Sequence, residues 1–255
     1  MSLLPTNNPL SRSPPYDFSR RQRRSSRSIP VILRRLFRFP QMDFEFALWQ
    51  MGYLLIAPSR VYKSIYYHKQ TKNQWARDDP AFLVLFATLL CISAVAWGLV
   101  YGLGIVGILR AILFMICVDF LLVGSVVATG CWFLSNRFLA HNGMAHANPQ
   151  TVEWAYAFDV HCNSFFPVFL ILYVVQFFFM PLLQRSNFVS LFVGNTMYLI
   201  SSIWYVYGTF LGYNALPFLV HTELFLYPVG MFVLLFILSL FGYNVSQHVL
   251  NAYFK

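Results

Sequence analysis

The sequence contains few charged residues. Asp, Glu, Lys and Arg make up 11% of its 255 residues, whereas hydrophobic residues make up 58%. A water-soluble domain has about 25% charged residues, so this chain lacks the polar surface of a soluble protein. It also lacks a charged start followed by an apolar stretch at Met1–Leu10, so we expect no cleaved signal peptide. The composition predicts a membrane protein that is inserted through its first internal apolar segment.

The sequence also lacks the motifs of metal sites and disulfide frameworks. It has four cysteines but no C-x-x-C, H-x-x-x-H or H-E-x-x-H pattern. Gly102–Gly107 matches the dinucleotide-binding fingerprint as text, but it lies between two apolar segments without the βαβ unit that the mechanism requires. We interpret these glycines as a tight turn, and we expect no metal, cofactor or catalytic residue.

The few charges are distributed unevenly. Residues 1–79 hold 14 Lys and Arg against five Asp and Glu, whereas residues 80–255 hold four of each, so the whole net charge of +9 precedes the first span. Positive charge beside the first span stays in the cytosol during insertion, which predicts a cytosolic N-terminus. Residues 1–33 have the composition of a disordered basic tail. The Arg run from Arg20 to Arg38 is interpreted as attraction to anionic lipids, RNA binding through phosphates, or a trafficking or phosphorylation signal.

Residues 34–79 are predicted to form interfacial helices on the cytosolic face. Met42–Ile56 is apolar but shorter than the ~20 residues of a span, which indicates an embedded or protein-packed helix with its acidic residues in the first turn. Pro58–Lys72 has an apolar stripe opposite a basic face, as in a helix at the lipid headgroups, or one packed on the protein's own loops. The candidate surface for lipids or a partner consists of Arg34, Arg35, Arg38, Asp43, Glu45, Arg60, Lys63, Lys69, Lys72, Trp75 and Arg77.

Residues 80–243 are predicted to form a transmembrane domain. Asp79-Pro80 is a helix-start signal, and the apolar segments that follow lie at about 81–101, 111–134, 165–183, 188–211 and 224–243. The fold class is therefore an all-α membrane protein with five transmembrane helices. An odd number of spans places residues 244–255 in the lumen as a short C-terminal tail, beginning with the Asn244 sequon.

Several polar residues within or beside the spans are candidates for packing or function. Asp119 lies deep in the second span, where an unpaired charge costs several kcal/mol. We interpret it as a structural lock with Asn195, Gln176 or Arg110, or as part of a proton or ion path. The spacing in Glu153–Asn163 argues against a metal or acid–base site and favours a packed interfacial helix. The candidates are Asp119, Glu153, Asp159, His161, Asn163, Asn195 and Glu223.

Five stretches of the sequence resemble a known family. They are Arg34–Met51, Lys69–Phe82, Val152–Pro167, Gly194–Thr196 and Phe210–Leu219. Together they resemble the UNCL family, the "uncoordinated-fifty" Golgi membrane proteins of eukaryotes. The resemblance implies five spans, a cytosolic N-terminus and residence in the Golgi, with the endoplasmic reticulum and inner nuclear membrane as further locations. It provides no catalytic residues.

The resemblance also implies a function. The family is linked to recruiting the guanine-nucleotide exchange factors that activate Arf GTPases, and to surface delivery of membrane-protein cargo such as receptor subunits. Our leading hypothesis is therefore a non-enzymatic Golgi adaptor in vesicular protein transport. The alternatives are a transporter or ion pathway that uses Asp119, and a membrane-tethered RNA-binding protein that uses the basic tail.

Overall fold

The computed structural model describes residues 42–64, 74–77, 79–140 and 150–254. Within these ranges the chain is helical, and its strand pairing is limited to one bridge between Ala140 and Leu219. Five helices of the described part of the chain are long and apolar enough to cross a membrane, which confirms the predicted fold class. Outside the described residues lie five basic residues of the predicted surface: Arg34, Arg35, Arg38, Lys69 and Lys72.

The principal helices are labelled in chain order. A short helix precedes the spans and another follows them. The five spanning helices are α2 to α6, and a further short helix covers residues 58–64. The labels are α1 for Phe44–Ile56, α2 for Ala81–Val100, α3 for Ile105–Leu139, α4 for Trp154–Phe178, α5 for Phe188–Asn214, α6 for Thr222–Ser239 and α7 for Val245–Phe254.

Two aspartates fix the start of the first two helices. The Asp43 side chain accepts a hydrogen bond from the Phe46 N–H at 2.9 Å and so caps α1. One oxygen of Asp79 accepts from the Ala81 N–H at 3.1 Å, and the other accepts from the Asp43 N–H at 2.6 Å. Asp79 therefore starts α2 and ties it to the start of α1.

Two of the spanning helices extend beyond the apolar segments predicted to cross. α3 begins before residue 111 and continues past 134, and α4 begins at Trp154 rather than near Phe165. The polar stretch Glu153–Asn163 is thus continuous with the third span, because its polar side chains are paired inside the protein. Both helices widen into π-helical turns, at Phe114–Leu122 in α3 and at Leu170–Val175 in α4. The membrane boundaries along these helices stay a prediction.

α4 is the central helix of the bundle and packs against α1, α3 and α5. Phenylalanines from α2, α3 and α4 form an aromatic core around Phe86. Close packing requires glycine at helix contacts: a Cβ added at Gly124 would lie 2.3 Å from His161 Nε2, and one at Gly212 would lie 2.7 Å from Val160. Gly102, with φ of 65°, occupies the turn between α2 and α3 that the sequence indicated.

Candidate functional site

The exposed part of the predicted partner surface lies on α1 and the short helix 58–64. Glu45, Arg60 and Lys63 are exposed. The apolar stripe predicted beside them is buried against the bundle as far as it is described, with Val61 at 1% and Tyr62 at 2% exposure. The outer face of α1 is apolar and exposed, which is typical of a helix at the membrane surface. Its exposed side chains are Phe46, Leu48, Trp49, Leu55 and Ile56.

Two residues of the predicted surface, Trp75 and Arg77, lie inside the protein. Trp75 is 6% exposed, and the side chain of Arg77 is 15% exposed. The Arg77 guanidinium lies 3.4 Å from Asp159 Oδ1 and stacks 4.3 Å from the centre of the Phe82 ring. The backbone N–H of Arg77 donates to Asp159 Oδ2 at 2.6 Å. Arg77 therefore binds α4 and is not part of an exposed surface.

Asn163 joins three elements at this site. Its Oδ1 accepts hydrogen bonds from Arg77 Nη2 at 2.6 Å and from Gln50 Nε2 at 3.1 Å. Gln50 comes from α1 and Asn163 from α4, and both are buried. Because buried polar groups cost free energy unless they are hydrogen-bonded, this network fixes α1 and the segment 74–77 on α4.

Glu153, the residue immediately before α4, holds the same segment. Its two carboxylate oxygens each accept at 3.3 Å, one from the Trp75 N–H and the other from the Ala76 N–H. Nearby, the buried Tyr156 hydroxyl donates to the Gly212 carbonyl at 2.6 Å and so joins α4 to α5. We call Gln50, Glu153, Asp159, Asn163 and Arg77 the docking network, because together they attach the segment before the first span to the bundle.

The other polar candidates lie elsewhere. His161 is buried among aromatic rings, with Nδ1 2.8 Å from the Tyr205 hydroxyl. The Asn195 amide donates to Ser239 Oγ at 2.8 Å and accepts from the Val245 N–H at 2.9 Å, which connects α5 to α6 and α7. Glu223 is exposed in the first turn of α6. Within the described ranges, no group of three or more His, Cys, Asp or Glu side chains could hold a metal ion.

Asp119 forms no hydrogen bond with the partners predicted for it, Asn195, Gln176 and Arg110. The hydroxyl of Tyr173 donates to its Oδ2 at 2.9 Å, and the hydroxyl of Tyr253 donates to the same oxygen. Asp119 thus joins α3 to α4 and α7, whereas the predicted lock joined the second and fourth spans. Burial, together with the adjacent carboxylate, raises the pKa of Tyr253, so its hydroxyl stays protonated and donates.

Sequence reasoning did not find Gln50, Tyr173 or Tyr253. Tyrosines in apolar runs resemble ordinary hydrophobic residues, and a single Gln in α1 carries little signal. The available indication was chemical: a carboxylate deep in a span requires donors, and Tyr is a donor with a hydrophobic ring.

A sequence model of the UNC-50 family matches residues 32–254. The chain is 47% identical to the protein unc-50 homolog of Dictyostelium discoideum over 233 residues, which cover 91% of this chain and 89% of the relative. It is 47% identical to the protein unc-50 homolog of Homo sapiens over 225 residues, covering 88% and 85%. It is also 47% identical to the protein GMH1 homolog of Schizosaccharomyces pombe over 222 residues, covering 86% and 94%.

No solved structure matches the chain significantly. The relatives' names describe no enzymatic activity. The family model covers the docking network, all five spanning helices and α7. The resemblance noted in the sequence is thereby confirmed, and the chain belongs to the UNC-50 family of membrane proteins.

Proposed function

We propose that the protein is a non-enzymatic adaptor of the Golgi or early secretory membrane. Residues 34–79 would form its cytosolic surface and recruit an Arf guanine-nucleotide exchange factor. This recruitment would support vesicular transport and the delivery of membrane-protein cargo to the cell surface. The proposal builds on membership of the UNC-50 family and on the concentration of net positive charge before the first span.

The burial of Arg77 against Asp159 is the observation that carries this proposal. Three side chains, Glu153, Asp159 and Asn163, hold residues 74–77 in place through hydrogen bonds and one ion pair. Gln50 of α1 donates to Asn163 and so joins α1 to the same network. A segment that only connected a tail to a span would not require such a network. A segment that presents a surface to a partner would benefit from such a network, because a preorganised surface loses less conformational entropy on binding.

The exposed groups around the docking network favour a position at the membrane surface. The outer face of α1 carries Trp49 and Ile56, and Arg60 and Lys63 are exposed directly after it. Apolar side chains enter the boundary between headgroups and acyl chains, and each basic residue near an anionic leaflet contributes about 1 kcal/mol. In this arrangement α1 would rest on the lipid, and the basic residues before it would face the cytosol.

Charge reversal before α1 tests the proposal. We expect that changing Arg34, Arg35 and Arg38 to Glu disperses an exchange factor from Golgi membranes without removing the protein itself. The matched control reverses Arg110 and Arg185, which are exposed. With a cytosolic N-terminus, these two residues would lie in or beside the links between spans 1 and 2 and between spans 3 and 4, on the luminal side. Quantitative imaging of both proteins in the same cells gives the readout. Unchanged recruitment in the triple variant would contradict the proposal.

A further inference from the structure

A cavity of about 260 Å³ lies between α2, α3, α4, α5 and α7, and none of the docking-network residues lines it among the described residues. Its described lining is mostly apolar and aromatic, and it includes one carboxylate, Asp119, and one amide, Gln176. Both π-helical turns named above border it, since Asp119 lies in one and Tyr173 in the other. π-helical turns within α-helices occur frequently at functional sites.

Asp119 presents a free acceptor. The hydroxyls of Tyr173 and Tyr253 both donate to Oδ2, whereas Oδ1 accepts no hydrogen bond from any residue in the described ranges. Burial of Asp119 disfavours its ionised form, and the two donors on Oδ2 partly offset this cost. Asp119 is half-buried, so Oδ1 remains accessible to a molecule in the cavity.

The charge of Asp119 lacks a partner of opposite sign within the described part of the chain. The buried ion pair there joins Arg77 and Asp159. Arg110 precedes Asp119 by nine residues on the same helix, which corresponds to about 13 Å along the axis, and its side chain is exposed. An isolated carboxylate in a transmembrane helix is costly, so a cation in the cavity would stabilise it.

Gln176 provides an independent indication of a ligand. Its side chain is 1% exposed and lines the same cavity. The amide Nε2 donates to Ser246 Oγ at 2.9 Å, but Oε1 has no hydrogen-bond partner among the described residues. Buried polar atoms are nearly always paired. The cavity therefore contains two acceptors without donors, one charged and one neutral.

The walls of the cavity indicate which kind of cation fits. Trp97, Tyr173, Tyr198, Phe165 and Phe254 line it, and the faces of aromatic rings attract organic cations. A metal ion is disfavoured because Asp119 is the single carboxylate among the described residues of the lining. An apolar cavity of about 150 Å³ holds benzene, so this larger one accommodates an aromatic ring or short alkyl chain with a polar head.

We propose that this cavity binds a protonated primary amine carried on an apolar body. The ammonium would donate to Asp119 Oδ1 and Gln176 Oε1, and the apolar body would contact the aromatic walls. Two sources offer this chemistry: a free amphiphilic amine, and a phospholipid with an ethanolamine headgroup. The proposal is independent of the adaptor function, because the cavity is lined by other residues than those of the docking network.

Phenethylamine is the probe for the free amine. The full chain is reconstituted in nanodiscs of phosphatidylcholine, which has no primary amine, and binding is measured by calorimetric titration. We expect saturable binding that weakens about tenfold or more in Asp119→Asn, because a charge-assisted hydrogen bond is lost. The control variant Glu223→Gln removes an exposed carboxylate outside the cavity and should bind like the wild type. The neutral analogue phenethyl alcohol should bind at least about tenfold more weakly than the amine.

Native mass spectrometry tests the lipid source. After exchange into nanodiscs that contain phosphatidylethanolamine, the wild type and Glu223→Gln should retain this lipid, and Asp119→Asn should not. Asp119-dependent binding of either the amine or the lipid supports the proposal and identifies the source. The proposal is overturned if neither binds, or if both bind Asp119→Asn as well as the wild type.

A cavity-filling variant keeps the test decisive if Asp119→Asn does not fold. Val249 is a half-buried residue of α7 that lines the cavity, and Val249→Phe fills space there while leaving the charge of Asp119 in place. We expect this variant to lose binding of the amine and the lipid. Binding at wild-type strength in Val249→Phe would show that the ligand lies elsewhere and would overturn the proposal.

Discussion

Replacing Arg77 with Ala removes the cation that ties the segment before the first span to α4. The variant loses the 3.4 Å contact with Asp159, the 2.6 Å hydrogen bond to Asn163 and the stacking on Phe82. Asp159 keeps the hydrogen bond from the backbone N–H of residue 77. The Asp159 carboxylate nevertheless loses its counter-charge while it stays buried, and this uncompensated charge is the main cost of breaking a buried ion pair.

The magnitude follows from the burial of the pair. Breaking a buried ion pair by removing one partner costs about 3 to 5 kcal/mol. The Arg77 side chain is 15% exposed to solvent, so we take the lower end of this range. A loss of about 3 kcal/mol in the free energy of local opening corresponds to an increase of roughly a hundredfold in the population of the open state.

Cys162 is a built-in reporter for this opening. It is fully buried on α4 next to Asn163, whereas Cys117 on α3 is exposed. Alkylation in detergent micelles, followed by peptide mass spectrometry, gives the labelling rate at each cysteine separately. We expect Arg77→Ala to raise the rate at Cys162 about a hundredfold and to leave the rate at Cys117 unchanged.

Arg60→Ala is the matched control for this prediction. Arg60 is exposed and lies 5.6 Å from the centre of the Tyr53 ring, a contact that contributes about 0.5 to 1 kcal/mol at an exposed site. Its loss should raise labelling at Cys162 by no more than about fivefold. If Cys162 is alkylated no faster in Arg77→Ala than in this control, the docking network does not hold the segment and the reasoning is refuted.

Two further predictions concern helix packing and glycosylation. Gly124→Ala should destabilise the protein by about 1 to 3 kcal/mol, because the new Cβ would lie 2.3 Å from His161. In the control Gly130→Ala the new Cβ has no atom within 4 Å, so this variant should be neutral or stabilising. The midpoints of thermal unfolding in detergent compare the two variants, and equal midpoints would contradict the packing at Gly124. Asn244 is buried and within hydrogen-bond distance of Ser190 Oγ, so we expect no glycan there; a mass shift on glycosidase treatment, lost in Asn244→Gln, would disprove this.

Local signals predicted the backbone architecture well. The first span begins at Ala81, directly after Asp79-Pro80, and the Asp79 side chain accepts from the Ala81 N–H. Five apolar stretches correspond to five long helices in the described part of the chain. The helix within Met42–Ile56 starts after its capping Asp43, and it packs on the bundle through one face. These features depend on residues close together in the sequence or on mean hydropathy, and both can be evaluated without knowledge of the fold.

Long-range pairing could not be predicted in the same way. The polar residues of Glu153–Asn163 resemble an interfacial helix because hydropathy does not show that Arg77, about 80 residues earlier, neutralises Asp159. The partners of Asp119 were likewise missed, since Tyr253 comes 134 residues later from a segment expected to be a tail. In both cases a buried charge required a partner, but its identity depended on how the helices assemble.

The orientation of the N-terminus tests the central claim most directly. The account requires residues 34–79 to face the cytosol, where an exchange factor could reach them. An epitope tag at the N-terminus should bind antibody in cells whose plasma membrane alone is permeabilised, with a Golgi luminal protein as the inaccessible control. Labelling of the tag only after the Golgi membrane is also permeabilised would contradict the account.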